Sequence, residues 1–239
     1  MPRIFLSAEW RYLAMLNYRV VPDLVAPFVP AGTELNLWKG VAYVSVVGFL
    51  FANTRVLGVP IPFHRTFEEI NLRFYVRREL GGETRRAVTF IREVVPRRAI
   101  AIVARATYNE PYLALPMRHH IRATSAETVV DYEWRGTFDW TGVHLSAAGT
   151  PEPIRAGSEE EFIAEHAWGY TRQRDGTTVE YEVRHPKWKV WPARTARLAG
   201  MTTDVYPPQF ARILSGEPDS AFLADGSAVT VHTPVRLRS

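Results

Sequence analysis

The chain has 239 residues, a formal net charge of +4 and no cysteine. The lack of cysteine excludes disulfides, thiolate nucleophiles and cysteine-ligated zinc or iron–sulfur clusters. Hydrophobic residues make up 46% and charged residues 23% of the sequence, a balance with which a chain of this length buries a core unaided. We therefore expect a single domain over residues 1–239.

The distribution of apolar and basic residues bears on location and partners. The longest apolar run, residues 41–52, is shorter than the roughly 20 residues of a membrane-spanning helix, and the first residues lack the apolar core of a secretion signal. The basic residues are scattered among 25 acidic ones, whereas nucleic-acid binding favours a clustered basic face. We expect a cytoplasmic protein that binds neither nucleic acid nor membrane. The sequence does not indicate which oligomeric state the protein has.

Strand-like segments separated by turn signals recur along the chain in an order typical of a β-rich fold. The predicted strands are residues 10–21, 41–51, 67–77, 86–95, 117–124, 128–135, 142–147, 177–184 and 229–237. One predicted helix begins at Pro22, and a second covers residues 99–107, where the alternation also fits a strand. A third runs from Ser158 to about Gln173, with Ser158 as N-cap and Glu161 at the capping-box position. The pattern indicates an α+β class protein with a mostly antiparallel barrel or sandwich and a few peripheral helices.

The predicted strand at residues 67–77 separates apolar from polar side chains. Because successive strand residues point to opposite faces, Ile70, Leu72, Phe74 and Val76 share one face. The other face carries a row of four hydrogen-bonding groups, Glu69, Asn71, Arg73 and Tyr75. Such a row fits a solvated outer surface, and it also fits the interior of a ligand-binding barrel, where buried charges must be paired.

Histidine and lysine give weaker signals. His119 and His120 are adjacent, so in a strand they point apart and cannot chelate one metal together, and we predict no metal site and no cofactor. Lys187 and Lys189 lie in an aromatic-rich segment at residues 185–192. One lysine could form a Schiff base in a pocket, or the segment could be a strand of packed tryptophans with both lysines pointing outward, which we favour. The sequence also lacks the nucleophile elbow, the P-loop and the dinucleotide-binding glycine motif.

A set of motifs in a fixed order covers nearly the whole chain. After Trp10 come W-K-G-V-A-Y-V at residues 38–44 and F-x-E-x-N-x-R-x-Y-V at residues 67–76. Ala104-Arg105, Pro111-Tyr112, the segment at residues 158–170 and H-P-K-W at residues 185–188 follow. This succession resembles the DUF2071 (YqjF-like) family of the acetoacetate-decarboxylase-like superfamily, and the block at residues 67–76 is its most specific part.

The resemblance implies an acetoacetate-decarboxylase-like fold with an internal cavity, but no established activity. Acetoacetate decarboxylases carry a Schiff-base lysine in a G-x-P-K context, and the matching stretch here is Asn109-Glu110-Pro111-Tyr112. Tyr112 therefore stands where the resemblance places that lysine. A phenol cannot form an imine, although it can donate a hydrogen bond or act as a general acid.

Two functional hypotheses remain open at this level. In the first, the protein is a small-molecule-binding barrel, and possible enzyme, for an anionic or oxygen-rich metabolite, without Schiff-base chemistry. Its catalytic candidates are Glu69 and Tyr112, and its ligand-binding candidates are Asn71, Arg73, Tyr75 and Arg105. In the second, the protein is a noncatalytic scaffold or sensor, and the polar strand face is a structural ion-pair network.

Overall fold

A computed structural model describes residues 2–237 of the chain. Its longer strands are β1 (Ile4–Val20), β3 (Ala42–Val56), β5 (Phe67–Leu80), β6 (Glu83–Val95), β8 (Met117–Ala123), β9 (Glu127–Arg135), β10 (Trp140–Ala148), β12 (Trp168–Arg172), β13 (Thr178–Arg184), β14 (Lys189–Ala199) and β15 (Ser220–His232). The shortest strands are β2 (Glu34–Leu35), β4 (Val59–Pro60), β7 (Tyr112–Ala114), β11 (Glu152–Pro153) and β16 (Val235–Arg236). The helices are α1 (Pro22–Val25), which a 3₁₀ turn at Ala26–Phe28 extends, α2 (Arg98–Tyr108), α3 (Glu159–Ala164) and α4 (Pro208–Leu214).

Seven strands form a ring of pairings that returns on itself. Antiparallel pairs connect β6 to β5, β5 to β3, β3 to β1 and β1 to β15. Strand β15 then pairs with β13, and β13 with β12, again antiparallel. A short parallel pairing between β12 and β6 completes the ring. The predicted class, a β-rich and mostly antiparallel fold with a few short helices, is confirmed.

A second layer of strands covers the outside of this ring. Strand β14 pairs with β15 and continues through β10 and β9 to β8. Apolar residues of β5 that point outward, such as Ile70 and Leu72, form one hydrophobic core with Val130 and Trp134 of β9. Gly48 of β3 makes this packing possible, because a Cβ there would lie 2.9 Å from the Tyr132 ring.

A second hydrophobic core lies inside the ring, beneath α2 and α3. It contains Met15 of β1, Val47 of β3 and Val88 of β6, together with Ala101 of α2 and Phe162 of α3. The two cores occupy opposite faces of the same strands, as the period of two in a strand requires. The outer core joins the two layers, whereas the inner core surrounds a cavity.

The predicted helix from Ser158 to about Gln173 is wrong in its second half. Ser158 caps α3 by accepting a hydrogen bond from the Glu161 amide at 3.3 Å, but the helix ends at Ala164. Residues 168–172 instead form β12, which lies between β6 and β13. The segment W-G-Y-T-R has aromatic and β-branched residues that favour a strand, and the pairing surfaces on both sides override the apparent helical continuation.

Three further segments show where the observed elements agree with the predicted ones and where they differ. The alanine-rich segment at residues 99–107 is confirmed as a helix, α2. The last predicted strand, at residues 229–237, is displaced, because β15 begins at Ser220 and the chain leaves it after His232. Strand β14 at Lys189–Ala199 begins within the aromatic segment at residues 185–192 that was interpreted as a strand, but its continuation to Ala199 was not predicted. No helix within residues 2–237 combines the length and the apolar character needed to cross a bilayer.

Candidate functional site

The polar row of β5 lies inside the ring. Glu69, Asn71 and Arg73 are buried and line a cavity of about 210 Å³. Tyr75 is also buried, but it lies behind the cavity wall, where its hydroxyl shares a 2.6 Å hydrogen bond with Ser45. The row is therefore not a solvated surface, which was one of the two interpretations of the sequence pattern.

Arg73 is at one end of the part of the row that lines the cavity, and its guanidinium uses only part of its hydrogen-bonding capacity. Its guanidinium donates to the Ile163 carbonyl at 3.0 Å and lies 5.7 Å from the centre of the Tyr75 ring. Its Nε has no partner, and none of the ion pairs within residues 2–237 includes it. A buried guanidinium therefore faces the cavity with a free N–H donor.

His166, beyond the end of α3, lies beside this arginine. Its ring stacks on Tyr75 with centroids 4.8 Å apart, and it lines the same cavity. Neither ring nitrogen makes a hydrogen bond of good geometry, although the Ile163 carbonyl is close. Burial, followed by the nearby Arg86 and Arg73 cations, holds the pKa of His166 well below its usual value, so the ring is neutral.

Three buried carboxyl groups form the opposite side of the polar region: Glu69 of β5, Glu93 of β6 and Glu110 after α2. Glu69 accepts hydrogen bonds from the Asn71 amide and the Tyr112 hydroxyl, each at 3.0 Å. Glu110 accepts a short hydrogen bond from the Tyr181 hydroxyl. Glu93 is opposite Asn71 in the pairing of β6 with β5 and opposite Tyr112 in the pairing of β6 with β7, so it lies between these two residues. Within residues 2–237, its Oε2 has no hydrogen-bond partner.

Burial shifts the protonation of all three carboxyls toward the neutral acid. It raises the pKa of Glu69 to about 7, partly opposed by the hydrogen bonds from Asn71 and Tyr112 and by the Arg73 charge. Burial also raises the pKa of Glu110 to about 8. The pKa of Glu93 is well above its usual value because of burial and then because Glu110 and Glu69 are near. Near neutral pH the cluster can both donate and accept protons.

Aromatic side chains form the wall of the cavity next to Glu69. We use the name aromatic wall for Trp10, Phe49, Phe51 and Phe67. Trp10 contacts Phe49 and Phe51 edge to face, with centroids 5.4 and 5.9 Å apart. Phe51 stacks on Phe67 at 4.6 Å. In the pairing of β3 with β5, Phe49 is opposite Glu69, so the aromatic wall begins where the polar row ends.

Arg105, a predicted ligand-binding residue, does not line this cavity. The inner side of α2 presents Ile100 and Ala104 to the cavity, whereas Arg105 is exposed and bonds through Nε to the Ala101 carbonyl at 3.1 Å. One helical residue corresponds to about 100° of rotation, which turns Arg105 away from the side on which Ala104 lies.

Among residues 2–237, no lysine lines the cavity. Lys187 points outward, with 71% of its side chain exposed, and pairs with Glu161 at 3.2 Å. Lys189 is exposed, and so is Lys39, whose ammonium lies over the Trp38 ring. Of the two interpretations of the aromatic segment, the structure has the one in which Trp188 is buried and the lysines point outward.

Sequence reasoning missed four residues of the polar region: Glu93, Glu110, His166 and Tyr181. Glu93 carried a usable signal, because it is the one carboxylate in the second half of β6, where Phe90, Ile91, Val94 and Val95 are apolar. His166 was hidden by the overextended helix, and Glu110 and Tyr181 come from segments whose spatial relation depends on the closed ring. Within residues 2–237 no group of three or more potential ligand residues is arranged to hold a metal ion.

Comparison with known proteins places the chain in a family. The model of the family DUF2071, described as "Uncharacterized conserved protein", matches residues 7–228. The chain belongs to the DUF2071 family. A relative, "Uncharacterized protein YqjF" of Bacillus subtilis (strain 168), is 23% identical over 201 residues, which cover 82% of this chain and 79% of the relative.

Solved structures similar to this DUF2071 protein are acetoacetate-decarboxylase-like. Acetoacetate decarboxylase from Legionella pneumophila subsp. pneumophila str. Philadelphia 1 has a TM-score of 0.64 at 13% identity, covering 100% of this chain and 88% of its own. The enduracididine biosynthesis enzyme MppR complexed with pyruvate has a TM-score of 0.66 at 14% identity, with coverage of 100% and 91%. An acetoacetate decarboxylase-like enzyme from Sphingomonas wittichii RW1 has a TM-score of 0.63 at 13% identity, with coverage of 99% and 94%. These likenesses establish the fold.

Proposed function

We propose that this protein binds a small, oxygen-bearing organic molecule in the ring cavity and transfers a proton to or from it through Glu69 and Tyr112. The observation that carries the proposal is a set of unpartnered polar atoms around one cavity. They are Asn71 Oδ1, Arg73 Nε, Glu93 Oε2 and both ring nitrogens of His166. Buried polar groups without partners are costly and rare, so several of them around one space favour a bound ligand that supplies the partners.

The roles of the individual residues follow from charge and geometry. The Arg73 guanidinium would bind a carboxylate or carbonyl oxygen, with Asn71 and the neutral His166 ring completing the contacts. Glu69 is suited to proton transfer because its pKa of about 7 keeps both protonation states populated near neutral pH. Tyr112 donates to Glu69 and would hold its carboxyl in position or donate to the ligand.

The comparisons support a ligand that is small and oxygen-bearing. The MppR structure is a complex with pyruvate, a small oxygen-rich anion, in a protein of the same fold. In the described part of this chain, however, no lysine lines the cavity, so the proposed chemistry proceeds without an imine. The alternative of a structural ion-pair network lacks a supporting contact, because the ion pairs of residues 2–237 include neither Arg73 nor Glu69.

Ligand-induced stabilisation tests the proposal. Pyruvate, acetoacetate and a panel of carboxylic and keto acids should include compounds that raise the melting temperature, because a ligand at 100 times its Kd stabilises the native state by about 2.7 kcal/mol. Arg73→Met should weaken binding of such an anion by about 2–5 kcal/mol. Arg105→Met removes an exposed arginine outside the cavity and should leave binding unchanged. Equal binding by the wild type and Arg73→Met would assign Arg73 a structural role and contradict the proposal.

A further inference from the structure

The size of the cavity limits what it can hold. Its volume is about 210 Å³, whereas an engineered protein cavity of about 150 Å³ lined by Leu, Ile and Phe binds benzene. The present cavity therefore has room for one six-membered ring and a short substituent. A fused two-ring compound with the same substituent would exceed it.

The lining of the cavity divides along the strand direction. On β5 itself, every side chain that faces the cavity from Arg73 through Asn71 to Glu69 is polar, whereas the neighbouring strands contribute Val47 and Phe90 at this level. At Glu69 the cross-strand neighbour is Phe49, and two residues further along β5 Phe67 is opposite Phe51. The step from Glu69 to Phe67 is about 7 Å along a strand, comparable to the length of a phenyl ring. A ligand that fills the cavity would therefore meet the polar groups of β5 at one end and aromatic side chains at the other.

The aromatic wall favours an aromatic ring over an aliphatic chain. Its members already contact one another edge to face and by stacking, and both geometries remain available to one more ring. On the side of α2, Ile100 and Val103 add apolar surface next to the wall. An exclusively polar ligand as small as a two-carbon acid would leave this half of the cavity without contacts, which forfeits the largest favourable contribution to binding.

Building on the function proposed above, we infer that the ligand is a single-ring aromatic compound with a short oxygen-bearing head group. The head group lies between Glu69 and Arg73, where the unpartnered polar atoms converge. The ring lies against Phe49, Phe51 and Phe67, at the opposite end from Arg73. The inference specifies the substrate class of the proposed site, because proton transfer at Glu69 would then occur at the carbon or oxygen that joins the ring to its head group.

Calorimetric titration with a matched set of probes tests this inference. Phenylacetate and phenylacetone have the ring, acetate and acetone have the same head groups without it, and 1-naphthylacetate has a fused second ring. At least one phenyl probe should bind about ten-fold or more tightly than its ring-free partner, a difference of about 1.4 kcal/mol. The naphthyl compound should bind no more tightly than acetate, since the cavity cannot contain it.

Two variants localise the ring. Phe51→Leu trims the aromatic wall and should weaken the phenyl probe severalfold while leaving the ring-free probe unchanged. Phe138→Leu alters an exposed phenylalanine outside the cavity and is the matched control. Equal affinity for phenyl and ring-free probes would overturn the inference but not the proposed function. Tighter binding of 1-naphthylacetate than of acetate would do the same. A folded wild-type protein that binds none of the five probes at millimolar concentration, and no member of the acid panel, would overturn both.

Discussion

Glu69 illustrates how burial determines the chemistry of a single side chain in this protein. It is 3% exposed, and the loss of hydration favours its neutral form more than Asn71, Tyr112 and Arg73 favour its charged form. Glu93 and Glu110 are subject to the same burial and also repel one another's charge. Three carboxyls that hold their protons in the folded state make the stability of the protein depend on pH.

Stability should fall as the pH rises through the range in which these carboxyls ionise. A carboxyl whose pKa is raised from 4.5 to about 8, as for Glu110, binds its proton more tightly in the native state. The resulting stabilisation is complete below about pH 4.5 and is lost as the pH rises through the folded-state pKa. His166 has the opposite sign, because its pKa is lowered, but above about pH 6.5 it is neutral in both states.

Urea unfolding between pH 6.5 and 8.5 isolates the carboxyl contribution. The free energy of unfolding should decrease by about 1–2 kcal/mol over this range, since one proton per pH unit corresponds to about 1.4 kcal/mol. Glu110→Gln should make the dependence shallower, and Glu152→Gln, a change at an exposed carboxyl, should not alter it. A free energy of unfolding that is constant or increases over this range would show that the carboxyls are already ionised in the native state.

Tyr112 leads to a second prediction at the scale of residues. Incubation with acetoacetate and borohydride, followed by mass spectrometry, should yield no substrate-dependent adduct on any lysine. The reason is geometric: Tyr112 lines the cavity, whereas Lys187 and Lys189 are exposed outside it. Acetoacetate decarboxylase is the positive control for trapping. An adduct on Lys187 or Lys189 above the level without acetoacetate would show that a lysine enters the cavity.

Much of the polar region could be predicted from residue types, but only along single strands. The period of two brought Glu69, Asn71 and Arg73 to one face, and all three line the cavity. The family resemblance supplied Tyr112, through the match of residues 109–112 to the G-x-P-K context of acetoacetate decarboxylases. Glu110 and His166 were inaccessible to this reasoning, because they reach the cavity from a loop and from a helix end, whose positions depend on long-range packing rather than on local periodicity.

At the scale of secondary structure elements, β12 shows why local patterns fail where tertiary pairing is strong. The first turn of α3 is fixed by the Ser158 cap, a local signal that the sequence contains. The end of the helix is fixed by the need of β12 to pair with β6 and β13. The rest of β14, beyond the aromatic segment at residues 185–192, was likewise missed, because three basic residues, Lys189, Arg194 and Arg197, conceal the apolar alternation that identifies other strands.

Gly169 makes the packing of β12 on β13 possible and can be tested directly. A Cβ at this position would overlap the Tyr181 ring, whose hydroxyl donates to Glu110. Gly169→Ala should therefore lower the free energy of unfolding by about 1–3 kcal/mol, the usual cost of overpacking. Gly216→Ala, which meets only the Ile213 carbonyl at 3.4 Å, is the control. Equal stability of Gly169→Ala and the wild type would mean that β12 can shift without loss.

At the scale of the whole molecule, the ring closes through two short pairings. Strands β12 and β6 are paired at only two positions, as are β13 and β15, whereas β1 and β3 are paired along most of their lengths. Fewer shared hydrogen bonds make local opening less costly. Both short pairings border the side of the cavity that contains Trp168 and Val183, so opening there would admit a ligand.

Hydrogen exchange followed by mass spectrometry should detect this uneven stability. Peptides that cover residues 167–172 should exchange faster than peptides from residues 44–50 in the middle of β3. A bound ligand should slow exchange at β12 more than at β3, because cavity-lining side chains lie on both strands of the short pairing between β12 and β6. Uniform protection around the ring would instead indicate that it opens only by global unfolding.

The pairing of the first long strand with the last has a consequence for synthesis on the ribosome. The Arg3 amide bonds to the Thr233 hydroxyl across 230 residues of chain, and β1 aligns with β15 along most of its length. At 5–20 residues per second, translation needs about 10–50 s to supply that partner. Until then, β1 can pair with β3 but keeps its other edge open, with Leu13 and Met15 uncovered. The nascent chain thus has an unpaired, aggregation-prone strand edge for most of its synthesis. We expect its dependence on chaperones to be greatest just before β15 emerges.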